Sequence, residues 1–186
     1  MLERILIAGS GGQGIILIGR TLAAAAVRHF THVTFFPAYG AEVRGGTSNC
    51  QVVLSASEIS SPVCEHFDSM VIMNPKSAEK FLPMATGQAL VLLNGFDFEH
   101  DRVPHPIVVD ATGMANDLGD TRVANFIMLG ALLSHKTILP SAEIEDRIRE
   151  TFSGKGKELV ELNLRAFRLG MKQKAPGGIA PSKPGG

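Results

Sequence analysis

The apolar positions of this chain fall into short runs separated by polar and glycine-bearing stretches. Ile5-Leu6-Ile7-Ala8 is one such run, stopped by Gly9, and predicts a buried strand over 4–8. From Ile15 to about His29 the pattern turns helical, with small alanines at 23–26 suited to close packing. Val33 to Phe36 predicts a second strand ended by Pro37, and Ser48 to Ser55 a third. Met70 to Met73 predicts a fourth strand, with Asn74 as cap and Pro75 in the first turn of a short helix after it. Ala89 to Leu93 and Pro106 to Val109 complete the strands. Helices are predicted over Thr121–Ser134, Ser141–Phe152 and Lys157 to about Lys172. Ser141 is expected to cap the second of these, with Glu143 and Glu145 near its positive end.

Strands alternating with helices, each strand an almost continuous apolar run, predict an α/β fold. We expect three layers: a mostly parallel but mixed sheet with helices on both faces. The mixed character is expected because a long loop joins the second and third strands. Residues 1–172 are expected to form one domain, and 173–186, rich in Pro and Gly, a flexible tail.

Composition excludes more than it assigns. Eighteen basic residues balance eighteen acidic ones, so no charged field points to nucleic acid or a membrane surface. No run reaches a spanning length, and Glu3 and Arg4 precede the first apolar run, unlike a signal peptide. A cytoplasmic location is expected. Cys50 and Cys64 are too far apart for a CxxC pair and read as buried free thiols. The histidines are scattered; Glu99, His100 and His105 share one polar loop, where a solvated loop is favoured over a metal site. Asp110 follows the sixth strand and suits a cap or a place in a cleft.

The densest chemistry is in "GSGGQG", Gly9 to Gly14, which fits GxGxxG between a strand and a helix. Glycine lets backbone N–H groups approach a phosphate, and the helix N-terminus adds partial positive charge. The second strand, however, runs into Pro37-Ala38-Tyr39 with no acid for a ribose hydroxyl. No Lys-Ser or Lys-Thr closes the glycines, so the loop is not a Walker loop. A packing turn and a cradle for another phosphate both remain open. A second cluster, Pro37 to Cys50, carries Tyr39, Glu42, Arg44, Gly45 and Gly46. Arg44 suits a phosphate or carboxylate, or a pair with Glu42 that shapes the loop. Both clusters are expected on one sheet edge. Asn125, within a helix that is otherwise apolar, is expected to bond a loop backbone, with the glycine loop a candidate.

"GSGGQGI", "YGAEVRGGTSNCQVVLS", "EISSPV", "ANFIMLGALL" and "NLRAF", in that order, resemble the gamma subunit of 2-oxoacid:ferredoxin oxidoreductases. The resemblance spans roughly residues 4–172. It implies a part in oxidative decarboxylation of a 2-oxoacid, favoured as 2-oxoglutarate, to acyl-coenzyme A with electrons passed to ferredoxin. It implies a Rossmann-like glycine loop and a cofactor-binding set of Gly9, Ser10, Gly11, Gly12, Gln13, Gly14, Tyr39, Glu42, Arg44, Gly45 and Gly46, helping to bind coenzyme A near the thiamine diphosphate site. No catalytic residue and no metal ligand is assigned. The chain has no Gly-Asp-Gly metal anchor for thiamine diphosphate, and its two cysteines cannot hold iron–sulfur clusters. Those cofactors are therefore expected on alpha, beta and ferredoxin-like delta partner subunits. Alone, the chain is expected to be inactive and to form a homodimer. The alternatives are a stand-alone NAD(P)-binding oxidoreductase and a pure assembly subunit.

Overall fold

A computed structural model describes residues 1–39, 47–101, 103 and 105–173. The tail beyond 173 lies outside the described residues. The elements are β1 (Leu2–Ser10), α1 (Ile15–Ala26), β2 (His32–Tyr39), β3 (Thr47–Ser55), β4 (Phe67–Ile72), α2 (Pro75–Phe81), β5 (Ala85–Asn94), β6 (Ile107–Val109), α3 (Ala111–Asp117), α4 (Ala124–His135), α5 (Ser141–Phe152) and α6 (Lys157–Met171).

The strands form one sheet in the order β2-β3-β1-β4-β5-β6. β1–β4, β4–β5 and β5–β6 pair parallel, while β3 runs antiparallel to both neighbours, β1 and β2. The sheet is thus mixed, and β2 points the same way as β1. Side chains alternate across it, as a strand's two-residue period requires. Ile5, Ile7, Cys50, Val52, Leu54, Val71 and Leu92 face one core, shared with α1, α4, α5 and α6. Leu6, Ala8, Met70, Ile72, Val91 and Leu93 face a second, smaller core under α2. Helices therefore cover both faces, giving the three expected layers.

Several boundaries differ from the sequence reading. β2 does not stop at Pro37; the residue pairs with Cys50 and the strand runs on to Tyr39. β2 is an edge strand, and a proline there loses no ladder bond on its open side. β5 begins at Ala85, four residues early, because Thr86, Gly87 and Gln88 carry no apolar signal. α3 was not predicted: only Ala111 and Ala115 are buried in it, and its Thr, Gly and Asn are weak helix formers. Ser141 does not cap α5. Pro140 holds the cap position in extended conformation, its carbonyl accepts from Glu143 N–H, and Ser141 is already helical. Glu143 does lie in the first turn, but Glu145 pairs with Arg149 and Arg168, tying α5 to α6. Cys64 is half-buried, not buried.

Candidate functional site

The carboxyl ends of β1, β2, β4, β5 and β6 gather on one edge of the sheet. Ser10 pairs with Thr47, and Tyr39 with Ser48. The glycine loop and the two residues that flank 40–46 therefore share that edge, as the sequence suggested. Glu42, Arg44, Gly45 and Gly46 lie outside the described residues. Tyr39 ends β2.

The edge has a switch point between β1 and β4. These strands are parallel neighbours, yet β1 leads to α1 over the larger core and β4 leads to α2 over the other. Open α/β sheets bind ligands at such points. Gly9 to Gly14 turns the chain there from strand into helix. Gly14 stands at the start of α1 with φ 70°, a left-handed conformation that favours glycine. No acidic side chain occupies the first turn of α1 and no side chain caps it, so its N-terminal dipole is not neutralised locally. Among the described residues no hydrogen bond reaches the amides of Gly11 and Gly12.

Polar side chains hold this loop from both sides. Gln13 Oε1 accepts from Ser10 N–H at 2.7 Å and from Asn74 Nδ2 at 2.9 Å. Gln13 Nε2 donates to the Met73 carbonyl at 3.2 Å. Asn74 also donates to Ser10 Oγ and caps α2 by accepting from Ser77 N–H. From the other face, Asn125 Nδ2 donates to the Gly14 carbonyl at 3.3 Å while Asn125 Oδ1 accepts from Phe126 N–H. Asn125 is buried (3 % exposed), so the bond it was expected to make to a loop backbone goes to the glycine loop itself. Further along the edge, Asn94 exchanges bonds with Thr112 N–H and Oγ1, and Asp110 caps α3 by accepting from Gly113 N–H.

Two pockets open beside the loop. One, of about 280 Å³, lies between Gly12, Gly14, Arg122, Lys155, Leu159 and Asn163. The other, of about 240 Å³, lies between Gly12, Gln13, Asn94, Thr112 and Arg122. Arg122 borders both, and its guanidinium is bound bidentately by Asp120, whose carboxyl it holds below the usual range. Lys155 Nζ sits 5.4 Å from the Phe152 ring centroid. A third pocket, near the start of β3, is lined by Thr47, Lys76, Glu79 and Lys80. Sequence reading missed Asn94 and Arg122 as members of this edge. Asn94 was visible as the polar residue closing the apolar run "LVLLN".

The thiols do not suit a metal cluster. Cys50 is buried against α1, its Sγ–H donating to the Ile15 carbonyl, and burial pushes the thiol up to about 12. Cys64 lies across the sheet, with the other core. The loop holding Glu99, His100 and His105 lines an open pocket, and no group of three metal-binding side chains occurs among the described residues. No helix of the described residues is long and apolar enough to cross a membrane.

Comparison with known proteins converges on one family. The chain is 38% identical to ketoisovalerate oxidoreductase subunit VorA of Methanothermobacter marburgensis, over 90% of this chain but 35% of that protein. It thus spans about a third of that relative's length. It is 33% identical to 2-oxoglutarate synthase subunit KorC of Methanothermobacter thermautotrophicus, covering 90% of this chain and 93% of the relative. Among solved structures it resembles the 2-oxoglutarate:ferredoxin oxidoreductase of Magnetococcus marinus (TM-score 0.80, 27% identity, 94% of this chain and 32% of that one). It also resembles the keto/oxoacid ferredoxin oxidoreductase gamma subunit of Geobacter sulfurreducens (TM-score 0.75, 25% identity, 91% of this chain and 96% of that one). The model of the pyruvate ferredoxin/flavodoxin oxidoreductase family matches residues 4–173, and the chain belongs to that family.

Proposed function

We propose that the chain is the gamma-type unit of a multisubunit 2-oxoacid:ferredoxin oxidoreductase working in the cytoplasm. The reaction consumes a 2-oxoacid, coenzyme A and two oxidised ferredoxins. It yields acyl-coenzyme A, carbon dioxide, a proton and two reduced ferredoxins. Thiamine diphosphate and iron–sulfur clusters belong to alpha, beta and ferredoxin-like delta subunits, because this chain's two cysteines and its lack of a Gly-Asp-Gly anchor do not fit them. Its own task is to bind coenzyme A along the carboxyl edge of the sheet and to pack beside the thiamine site.

The observation that carries this reading is the glycine loop. It places Gly12, Gly14 and an uncapped helix end at two adjoining pockets, a good setting for phosphate oxygens. The similar Magnetococcus marinus enzyme holds 2-oxoglutarate, coenzyme A and succinyl-coenzyme A. Among relatives, the names carry ketoisovalerate and 2-oxoglutarate. We favour 2-oxoglutarate, with ketoisovalerate next; none of the residues described above selects between them.

The test is kinetic, on the complex purified with its native partners. Arg44→Ala, which removes one charge-assisted contact, and Gly12→Ala, which places a side chain at φ 89° beside both pockets, are each expected to raise KM for coenzyme A about tenfold. Unchanged coenzyme A affinity in both variants would leave an assembly role in its place. Tight NADH binding by the isolated chain would favour a dinucleotide enzyme instead.

A further inference from the structure

Two buried carboxamides line the pocket formed by α1, α4 and α6, and neither uses its full hydrogen-bonding capacity within the protein. Asn125 and Asn163 are each 3 % exposed. Asn163 Nδ2 donates to the Leu159 carbonyl at 2.7 Å. A carbonyl only accepts, so this bond fixes the orientation of the amide and turns Oδ1 away from Leu159. Among the described residues Oδ1 accepts no hydrogen bond, and it is not sealed from solvent, so it opens on the pocket. Asn125 accepts from Phe126 N–H through Oδ1 and donates one Nδ2 proton to the Gly14 carbonyl. Its second Nδ2 proton has no acceptor among the described residues. A buried amide atom without a partner destabilises a closed interior, and a ligand that supplies the partner removes that penalty.

The rest of the pocket narrows the ligand. Leu17, Val123, Phe152 and Leu159 give it apolar walls. Its volume, about 280 Å³, lies at the bottom of the range of small-molecule sites and suits one flat group, not a whole cofactor. An apolar slot with one free acceptor and one free donor matches adenine, which carries an amine donor beside ring-nitrogen acceptors. Lys155 stands exposed at the rim, with no carboxylate partner among the described residues. Arg122, by contrast, is engaged by Asp120. Gly12 lines this pocket and its neighbour, so a diphosphate at the glycine loop leads directly into it.

We propose that this pocket binds the adenosine 3′-phosphate end of coenzyme A: Asn163 Oδ1 accepts from the adenine amine, Asn125 Nδ2 donates to a ring nitrogen, and Lys155 pairs with the 3′-phosphate. The proposal rests on the coenzyme A reading above and adds the residues that recognise the base.

The test uses the complex purified with its native partners. KM and kcat are measured with coenzyme A, with its hypoxanthine analogue, in which a carbonyl of similar size replaces the amine, and with dephospho-coenzyme A. The wild type is expected to show a KM about tenfold higher for the hypoxanthine analogue, whose carbonyl faces Asn163 Oδ1 with no proton between them. Asn163→Leu should raise KM for coenzyme A about tenfold and leave that for the analogue and kcat unchanged, so the discrimination vanishes. Lys155→Ala changes an exposed side chain. It should raise KM for coenzyme A about threefold and leave that for dephospho-coenzyme A unchanged. Should Asn163→Leu fail to assemble, the wild-type ratios and Lys155→Ala still decide. Equal use of coenzyme A and its hypoxanthine analogue by the wild type overturns the proposal, as does discrimination that survives Asn163→Leu. Gly12→Ala and Arg44→Ala judge the coenzyme A reading separately. If they raise KM while the analogue ratios stay near one, only the base pocket falls; if no variant moves KM, both fall.

Discussion

The contact between Gly14 and Asn125 joins the glycine loop to α4 and yields a quantitative prediction. A Cβ added at Gly14 would collide with the Asn125 carboxamide. Gly14→Ala also places a side chain at φ 70°. The left-handed conformation costs about 1–2 kcal/mol, and overpacking a buried contact about 1–3 kcal/mol more. Asn125→Ala loses the bond to the Gly14 carbonyl and its acceptance of Phe126 N–H, about 1–2 kcal/mol together, since the Gly14 carbonyl keeps its bond from Ile18 N–H. In the double variant the collision is absent, and only the backbone term of Gly14→Ala remains. The two changes should therefore couple favourably by about 1–3 kcal/mol. Urea unfolding of the isolated chain, with all four variants compared at constant m, measures this coupling. Additivity within about 0.5 kcal/mol would refute the claim that Asn125 sets the path of the loop.

Other expectations follow from packing and charge. In the native chain Cys50 should resist Ellman's reagent at pH 8, since its thiol is pushed up to about 12, and should react only on unfolding; rapid native labelling of both thiols would contradict its burial. Burial raises Asp68, but hydrogen bonds from the Arg4 side chain and backbone N–H outweigh it and hold the carboxyl below the ordinary range. A depressed native pKa adds stability above the unfolded value that is lost as pH falls through the native one. Asp68→Asn should thus destabilise at pH 7, with the difference from wild type shrinking below roughly pH 4; a difference independent of pH would contradict the ion pair. α4 and α6 approach so closely at Gly130 and Gly170 that a Cβ on either meets the other helix's backbone, at Phe167 and Ile127. Gly130→Ala and Gly170→Ala should each cost about 3 kcal/mol, roughly 6–12 °C in melting temperature, and neutral variants would contradict that packing.

What could be read from the sequence follows physical signal strength. Ile5–Ala8, Val52–Leu54 and Met70–Ile72 are dense apolar runs and were read as strands; all three are buried in the sheet. α3 buries only two alanines and was missed. Pro37 marks a strand end in most contexts, and only the position of β2 at the sheet edge lets the strand continue. The grouping of Gly9–Gly14 with Tyr39 and Thr47 on one edge was visible because strand direction follows from chain order. The inward turn of Gln13 was not visible. It depends on Asn74 and Met73, about sixty residues away, and sequence spacing carries no such information. Arg122 was missed for a related reason: it reaches the loop from a turn that tertiary packing alone brings near.

The central claim is that this chain completes a 2-oxoacid oxidoreductase without holding its redox cofactors. The most direct measurement is purification of the chain with its native partners, followed by viologen reduction with a panel of 2-oxoacids. The account predicts reduction that requires one 2-oxoacid, coenzyme A and this chain together, with acyl-coenzyme A formed in proportion to the electrons delivered. Absence of coenzyme A-dependent reduction with every 2-oxoacid, or full activity in a complex lacking this chain, would contradict it.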